Sequence, residues 1–180
     1  MLFCIKKSLT MELFEGLLSR RSIRKYTGEK IDEEKIRTII KAGMYAPSAS
    51  NKRPWHFIII DDREIMKRIM EVHPFSAMLK EASHAIVVCG DEELQNGQGY
   101  YKLDCSAASQ NILLAAHSFG YGAVWLGVEP REERINAISR ILGLPIHVHP
   151  VSIISIGVPV NIPKVIPNRF EEKKIRKNQW

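Results

Sequence analysis

Two short stretches of the chain combine residue types that suit an anionic ligand with a flat part. In the first stretch, R-R-S-I-R, Arg20, Arg21 and Arg24 surround the hydroxyl of Ser22. Like charges this close repel one another unless an anion offsets them, and guanidinium forks beside a hydroxyl suit a phosphate. The dipole of a preceding helix favours some positive charge at this place, but it does not account for all three arginines. The stretch therefore indicates a phosphate site.

The second stretch is P-S-A-S-N-K-R-P-W, from Pro47 to Trp55. Its residues between the prolines are mostly small, so backbone N–H and C=O groups can approach a flat ligand closely. Asn51 offers hydrogen-bond donors and an acceptor at once, as a ring that carries both would require. A proline-bounded turn with Asn51 in the left-handed region explains the same residues, and this stretch taken alone favours the turn.

The positive charge of the chain collects near its two ends. The 180 residues include 26 Lys and Arg against 20 Asp and Glu, a net charge of +6. Ranges 20–30 and 164–177 each carry about +4, so the remainder carries about −2. Two basic segments that are distant in sequence can converge on one anion in the fold, although a solvated tail also explains the second. Nucleic-acid binding is a weaker alternative, because no basic helix flanked by aromatic residues and no recognition helix is visible.

Composition places the chain among ordinary globular proteins. Hydrophobic residues make up 45% of the chain and charged residues 26%, and we expect one domain over residues 11–180 after a loosely held, disordered extension over 1–10. Cys4, Cys89 and Cys105 are an odd number and widely spaced, which argues against a disulfide scaffold and suits the reducing cytoplasm. The longest apolar runs are too short to cross a bilayer, so we expect no membrane association.

Other catalytic and ligand-binding motifs are incomplete. The G-x-G within Gly120–Gly127 lacks a third glycine and precedes a strand, which is the reverse of the dinucleotide-binding order. His147 and His149 have no carboxylate or thiolate nearby in the sequence, so we interpret them as part of a surface loop and expect no metal site. Cys105 has no motif that pairs it with a base, and no serine lies in a G-x-S-x-G context. Hydrolase chemistry therefore has no support.

Periodicity predicts alternating helices and short strands around these stretches. We expect helices over 11–20 with Thr10 as its N-cap, 32–45 capped by Asp32, 61–72 beginning at Asp61 or Asp62, 76–81, 100–119 and 130–142. The helix over 100–119 is rich in Ala and Leu, which predicts burial nearly all round. Strands are expected over 55–60, 84–89, 123–128 and 151–158, followed by an arm from Pro159. This order predicts the α+β class, with a small sheet wrapped by helices.

Together, and in this order, the motifs resemble the FMN-dependent nitroreductase family. The resemblance rests on R-R-S-I-R, on A-P-S-A-S-N-K-R-P-W-H-F, on the helix with Asp104, Ala108 and N-I-L-L-A-A from Asn111, on G-Y-G-A-V-W-L-G, and on P-N-R-F from Pro167. It spans the chain from about Met11 to the C-terminus. The first two motifs are fairly specific as a pair, and the others are weak singly. The fold it implies is α+β, with a small mixed, mainly antiparallel sheet wrapped by helices and an extended C-terminal arm.

Carried over position by position, the resemblance implies a flavin site with three parts. Arg20 and Ser22 would contact the FMN phosphate or ribityl chain, with Arg21 and Arg24 beside them, and Arg169 would return to the phosphate. The backbone of Leu126 and Gly127 would face the ring. The flavin bound mainly by the partner subunit would be lined by Pro47, Ser48, Ala49, Ser50 and Asn51. Family members are homodimers with two flavins in the interface, and the proline-containing arm is long enough to wrap a neighbour.

The activity that the resemblance implies needs no catalytic acid, base or nucleophile from the protein, because the cofactor performs the redox chemistry. NADH or NADPH would deliver a hydride and leave, and an electron-poor nitroaromatic or quinone would take its place. Arg53 stands where the family often has Gln, and segment 90–99 is short, so the acceptor is the least transferable part. An FMN-dependent dehydrogenase, oxidase, dehalogenase or flavin-cleaving enzyme, a non-catalytic flavin-binding protein, and a binder of anions or nucleic acid remain as alternatives.

Overall fold

The structure is a computed structural model that describes residues 12–163 and 167–180. Within these residues the chain forms five α-helices and four strands. In chain order they are α1 (Leu13–Ser19), α2 (Glu33–Met44), β1 (Trp55–Ile60), α3 (Arg63–Val72), β2 (His84–Asp91), α4 (Tyr100–Ser118), β3 (Gly122–Gly127), α5 (Glu132–Leu142) and β4 (Val148–Gly157). Short 3-10 turns cover Ala49–Asn51, Ala77–Lys80 and Glu172–Lys174. The predicted α+β class is confirmed.

Side-chain caps fix where two of the helices begin. The carboxylate of Asp32 accepts a hydrogen bond from the backbone N–H of Glu34, as the sequence predicts. Of the two aspartates expected at the next helix, Asp62 is the cap, and it accepts from two N–H groups. The first helix is shorter than predicted, with Glu12 at its N-cap position. Its predicted cap Thr10 lies outside the described residues, as does the whole extension over 1–10.

Two other predicted helices differ from those observed. The helix expected from residue 130 begins at Glu132, with Arg131 in the N-cap position. The short helix expected over 76–81 is a 3-10 turn, Ala77–Lys80. A turn this short satisfies few of its own backbone groups, which is typical of a connection rather than of a core helix.

The four strands form one sheet in the order β1-β2-β4-β3, and every neighbouring pair is antiparallel. The central strands β2 and β4 are buried almost throughout. β4 begins at Val148, three residues earlier than predicted, because an irregularity between Val88 and Cys89 of β2 accommodates Pro150 in the ladder. Beyond β3, Ser22 pairs with Ala123 as a single parallel bridge, which gives the arrangement its mixed character.

Each face of the sheet carries its own hydrophobic cluster. Helices α2 and α4 cover one face through buried residues such as Ile36, Ile39 and Ile112. Helices α3 and α5 contribute to the cluster on the other face, for example through Ile69 and Ile138. The prediction that α4 is buried nearly all round is wrong at its start, since 67% of Leu103 and 47% of Tyr100 are exposed. Tyr101 in the same turn is buried, and its hydroxyl donates to Glu129 Oε1 at 3.2 Å, so only one side of the turn is exposed.

The chain leaves the sheet as an extended arm after β4, as predicted. Its first residues still pair with the segment after α1, since Thr27 N–H donates to Val158 O and Val160 N–H donates to Lys25 O. From residue 160 onward every described residue of the arm is exposed, including Phe170, Ile175 and Trp180. Among the described residues, no helix has both the length and the apolar character needed to cross a bilayer.

Candidate functional site

Three arginines gather beside the end of α1, although 148 positions of sequence separate Arg21 from Arg169. Burial lowers the pKa of the Arg20 guanidinium, and the nearby charges of Arg169 and Arg21 lower it further. Arg21 donates from Nη1 to the carbonyls of Leu18 and Arg20, each at 2.7 Å. Its Nη2 is buried and has no hydrogen-bond partner among the described residues. This arrangement concentrates positive charge and unused donor capacity at one place.

The rest of the R-R-S-I-R stretch runs along the edge of the sheet. Ser22 is exposed and lies where the backbone pairs with Ala123 of β3, and Ile23 N–H donates to Ala123 O at 3.0 Å. Arg24 lies farther along and is exposed, and its charge acts on the hydroxyl of Tyr26. Burial raises the pKa of Tyr26 to about 12, against the smaller opposing effects of Ser155 and of the charge of Arg24, and the Tyr26 hydroxyl donates to Ser155 O at 3.2 Å. The stretch therefore presents its residues along a fixed backbone.

His117 lies beside the arginine cluster, although nothing in the sequence indicated this. It lies near the end of α4, and its Nε2 is 2.8 Å from Ser19 Oγ at the end of α1. Burial lowers the pKa of His117, and the charges of Arg20 and Arg21 lower it further. The pair ties the end of α1, and thus the arginines that follow it, to the end of α4.

The loop that follows α2 has an unusually strained backbone. Ser50, Asn51 and Arg53 have φ angles of 50°, 54° and 49°, and they are three of the four non-glycine residues with positive φ in the described chain. The left-handed conformation that the turn interpretation expected for Asn51 is thus present, together with two more. Each such residue costs on the order of 1–3 kcal/mol, and strain of this kind collects at ligand sites. The loop therefore needs external support.

Much of that support comes from Asp104 on α4. Its Oδ1 accepts a hydrogen bond from Ala49 N–H at 3.0 Å, while its Oδ2 is buried and lacks a partner within the described chain. Inside the loop, Ser48 Oγ accepts from Arg53 N–H at 2.9 Å. A cavity of about 320 Å³ adjoins the loop, and its lining includes Pro47, Ser48, Ala49, Leu103 and Asp104. Asp104 was part of a motif in the sequence, but not among the expected site residues.

The end of β3 is held from inside the protomer. The carbonyl oxygen of Gly127 accepts from His73 Nε2 at 3.0 Å and from Arg134 Nη1 at 2.9 Å. Because the other ring nitrogen of His73 accepts from Phe75 N–H, the Nε2 atom carries the proton. Burial lowers the pKa of His73. Leu126 is buried beside this fixed carbonyl. The sequence indicated neither His73 nor Arg134 as part of a site.

The arginine cluster and the strained loop lie at opposite ends of α4. The cluster meets α4 at His117, and the loop is bonded to it at Asp104. Thirteen residues of α-helix separate these two points, which corresponds to about 20 Å at 1.5 Å per residue. The structure thus brings Arg20, Arg21 and Arg169 together, and within one protomer it keeps them apart from the loop.

Comparison with known proteins identifies the family of the chain. The model of the nitroreductase family matches residues 17–89 and 75–158. The chain belongs to the nitroreductase family. The two matched ranges contain the R-R-S-I-R stretch, the strained loop, Asp104 and the end of β3, whereas Arg169 lies outside both ranges.

Relatives of this nitroreductase-family chain, and solved structures similar to it, align with nearly its whole length. A Methanothermobacter thermautotrophicus protein, provisionally named NADH dehydrogenase/NAD(P)H nitroreductase, is 47% identical over 94% of this chain and 88% of its own. A crystal structure from Parabacteroides distasonis with the same provisional name superposes with a TM-score of 0.89, at 44% identity over 93% of this chain and 98% of the other. A provisionally named nitroreductase from Desulfovibrio desulfuricans, solved in complex with FMN, has a TM-score of 0.81 at 28% identity, over 94% and 98% of the two chains.

Proposed function

We propose that this chain is an FMN-dependent oxidoreductase that passes two electrons from NADH or NADPH to an electron-poor small molecule. Nitroaromatic compounds and quinones are the proposed acceptors, and donor and acceptor use the same place in turn, by a ping-pong mechanism. The observation that carries this proposal is the grouping of Arg20, Arg21 and Arg169 beside the end of α1, together with the buried, unpartnered Nη2 of Arg21. The FMN complex of the Desulfovibrio relative supports the choice of cofactor.

The residues present fit the phosphate end of FMN. A phosphate monoester carries up to two negative charges near neutral pH and offers acceptor oxygens to several donors at once. The unpartnered Nη2 of Arg21 is a donor of the kind that such an oxygen satisfies. A buried donor without a partner costs about 1–3 kcal/mol, so binding an anion there removes a penalty that the protein otherwise carries.

Each part of the chain has a separate task in this mechanism. Bound FMN would supply the two-electron redox chemistry between NAD(P)H and the acceptor, and the acceptor would gain its proton from solvent. Arg20, Arg21, Ser22, Arg24 and Arg169 bind and orient the phosphate and the ribityl chain. The backbone of Leu126 and Gly127, held by His73 and Arg134, faces the ring on one side. No side chain of the protein transfers a proton in this scheme.

We infer that the active form is a homodimer whose partner completes each site. Since the strained loop lies about 20 Å from the arginine cluster along α4, it is the loop of the second protomer that lines the ring. The residues of that loop are Pro47, Ser48, Ala49, Ser50 and Asn51. An exposed apolar face of α1 suits such an interface, because Leu13 and Phe14 are each 72% exposed and Leu17 and Leu18 each 48%.

The number of domains and the cellular location are also part of the proposal. We infer that residues 11–180 form one domain, because both hydrophobic clusters pack on the two faces of one sheet. We place the protein in the cytoplasm, because Cys89 and Cys105 are both free thiols and free thiols persist in reducing compartments.

Comparing FMN with riboflavin tests the phosphate assignment. Replacing Arg20 with Gln removes one charged donor, and hydrogen bonds to charged groups contribute about 1.5–3 kcal/mol. We therefore expect Arg20→Gln to weaken FMN binding by about 10- to 100-fold. Riboflavin has no phosphate, so its affinity should stay the same. Both dissociation constants can be measured by the quenching of flavin fluorescence.

Arg140→Gln provides the matched control for this experiment. Arg140 is exposed on α5 and bonds the Asn136 carbonyl of its own helix, so its loss changes the net charge equally without touching the cluster. If Arg20→Gln weakened the binding of FMN and riboflavin equally, the phosphate assignment would be wrong. Steady oxidation of NADH in the presence of a quinone then separates an enzyme from a protein that only binds flavin.

A further inference from the structure

A second group of polar side chains collects where three neighbouring strands meet at one end of the sheet. Asp91 is the last residue of β2, His147 directly precedes β4, and His56 lies on β1. The strands are adjacent in the sheet, in the order β1-β2-β4. Glu93 follows β2 by two residues. His149 lies on β4 rather than in the predicted surface loop. No carboxylate is near these histidines in the sequence, but Asp91, Glu92 and Glu93, which are distant in sequence, approach them in the fold.

The distances between the side-chain atoms of this group are somewhat longer than those between the ligands of one metal ion. One ligand atom from each of Asp91, Glu93 and His147 lies within 4.8 Å of the other two. The Nε2 atom of His147 lies 4.0 Å from Asp91 Oδ2, and its Nδ1 atom lies 3.9 Å from Glu93 Oε1. Ligands at about 2.0–2.2 Å from a tetrahedral metal are about 3.3 Å apart. Because an imidazole ligates one ion through one nitrogen, the site requires His147 and Asp91 to approach each other slightly and the 70% exposed side chain of Glu93 to rotate toward the same nitrogen.

Asp91 is already fixed in a ligating orientation. Only 10% of its side chain is exposed, and its Oδ1 accepts a hydrogen bond from Glu93 N–H at 2.9 Å. This contact leaves Oδ2 facing His147, and His56 Nε2 lies 3.4 Å from the same oxygen. Ligating carboxylates are commonly held by such an outer hydrogen bond. The backbone is fixed too, since Glu92 N–H donates to His147 O at 3.0 Å.

The local charge also favours a cation. Asp91, Glu92 and Glu93 are consecutive acids in a chain whose net charge is +6. Glu92 is not part of this group, and its Oε2 faces His149 Nε2 at 3.2 Å. The carboxylates of Asp91 and Glu93 have only imidazoles as their nearest ionic partners in the described chain. No Lys or Arg pairs with these two carboxylates in the described chain, so a divalent ion would supply their counter-charge.

We propose that Asp91, Glu93 and His147 bind a divalent transition-metal ion of the zinc class, with water completing its coordination. Two carboxylate oxygens and one imidazole nitrogen suit such a borderline ion, whereas Mg²⁺ prefers oxygen ligands and retains its waters. His56 positions the ligating oxygen of Asp91. The ion joins the ends of β2 and β4 to the segment that follows β2, so its expected effect is on stability. The site is independent of the flavin chemistry proposed above.

Titration of metal-free protein with ZnCl₂ tests this proposal. After dialysis against EDTA and then chelator-free buffer, we expect one Zn²⁺ per chain by calorimetry and elemental analysis, and a higher thermal unfolding midpoint with zinc. Glu93→Gln and His147→Gln should each weaken zinc binding at least tenfold, because each removes one of three ligands. An excess of Mg²⁺ should not displace the zinc. The flavin content should not change in any of these samples.

Glu92→Gln is the matched control, because it removes the same charge from the neighbouring position, which faces His149. It should retain the zinc affinity and the zinc-dependent rise in unfolding midpoint. The proposal is overturned if the wild-type protein binds no stoichiometric zinc. It is equally overturned if Glu92→Gln and Glu93→Gln weaken binding to the same extent, or if Mg²⁺ competes on equal terms, since both results would describe attraction to an acidic surface.

Discussion

A heterodimer of two differently defective chains should regain one working flavin site. The first chain carries Arg20→Gln, which damages the arginine cluster. The second carries Asn51→Asp, which places a negative charge beside the ring that has to gain electrons. Asp tolerates the φ of 54° observed at Asn51, so this substitution keeps the backbone of the loop. Each homodimer should have little activity, because both of its sites contain the same defect.

The expected recovery follows from the positions of the two parts on α4. If every site takes its arginines from one protomer and its loop from the other, the heterodimer has one site with both defects and one with neither. A purified heterodimer should therefore retain about half of the wild-type flavin content and turnover. If both parts of a site came from the same protomer, each site would contain one defect and the heterodimer would be as inactive as the two homodimers.

Co-expression of the two chains with different affinity tags, followed by purification on both tags in turn, isolates the heterodimer. Turnover is then measured as NADH oxidation with a quinone, and bound FMN by absorbance. A heterodimer of two wild-type chains with the same tags is the control for the purification. The reasoning about α4 is refuted if the doubly tagged protein is a stable dimer with no more activity than the Arg20→Gln homodimer.

Two further predictions concern stability. Burial lowers the pKa of His73 below its usual 6.5, so the unfolded chain binds a proton at pH values where the folded chain does not. The free energy of unfolding should therefore fall as the pH drops below about 6.5. His73→Gln should reduce this fall, as measured by urea unfolding at several pH values. A Cβ on Gly90 would lie 2.2 Å from Tyr101 Cδ2, so Gly90→Ala should lower the free energy of unfolding by about 1–3 kcal/mol. Gly127→Ala, whose Cβ would come no closer than 3.7 Å to another group, should destabilise less, and equal thermal unfolding midpoints would contradict this packing argument.

Local signals in the sequence were sufficient for much of the fold. Asp32 and the acidic residues after it specify the start of α2, because an N-cap and its helix are neighbours in the chain. The bounds of β1 were predicted without error, since its apolar run lies between a proline and an aspartate. The start of β4 was predicted three residues too late, because Pro150 argues against a strand unless the irregularity in β2 is known.

The residues that the sequence did not indicate are those that act across long separations. Asp104 supports a loop 55 positions earlier, and His73 holds a carbonyl 54 positions later. Nothing in the neighbourhood of either residue encodes that partner, because the contact exists only once the helices have packed on the sheet. The charge pattern allowed the two basic segments to converge on one anion, and the family resemblance singled out Arg169 as the residue that returns to the phosphate. The roles of the predicted flavin contacts stay predictions until a ligand is bound.

The position of β1 in the sheet has a consequence for handling the protein. Among the described residues, β1 pairs only with β2, so the backbone N–H and C=O groups of its outer side have no strand beside them. Its sequence, W-H-F-I-I-I, is apolar and has a high β propensity, which is the character of segments that join edge to edge into aggregates. Concentrated samples should therefore be prone to precipitate through this edge, most readily under mildly denaturing conditions. Light scattering during mild denaturation would then report how readily chains associate through the unpaired edge of β1.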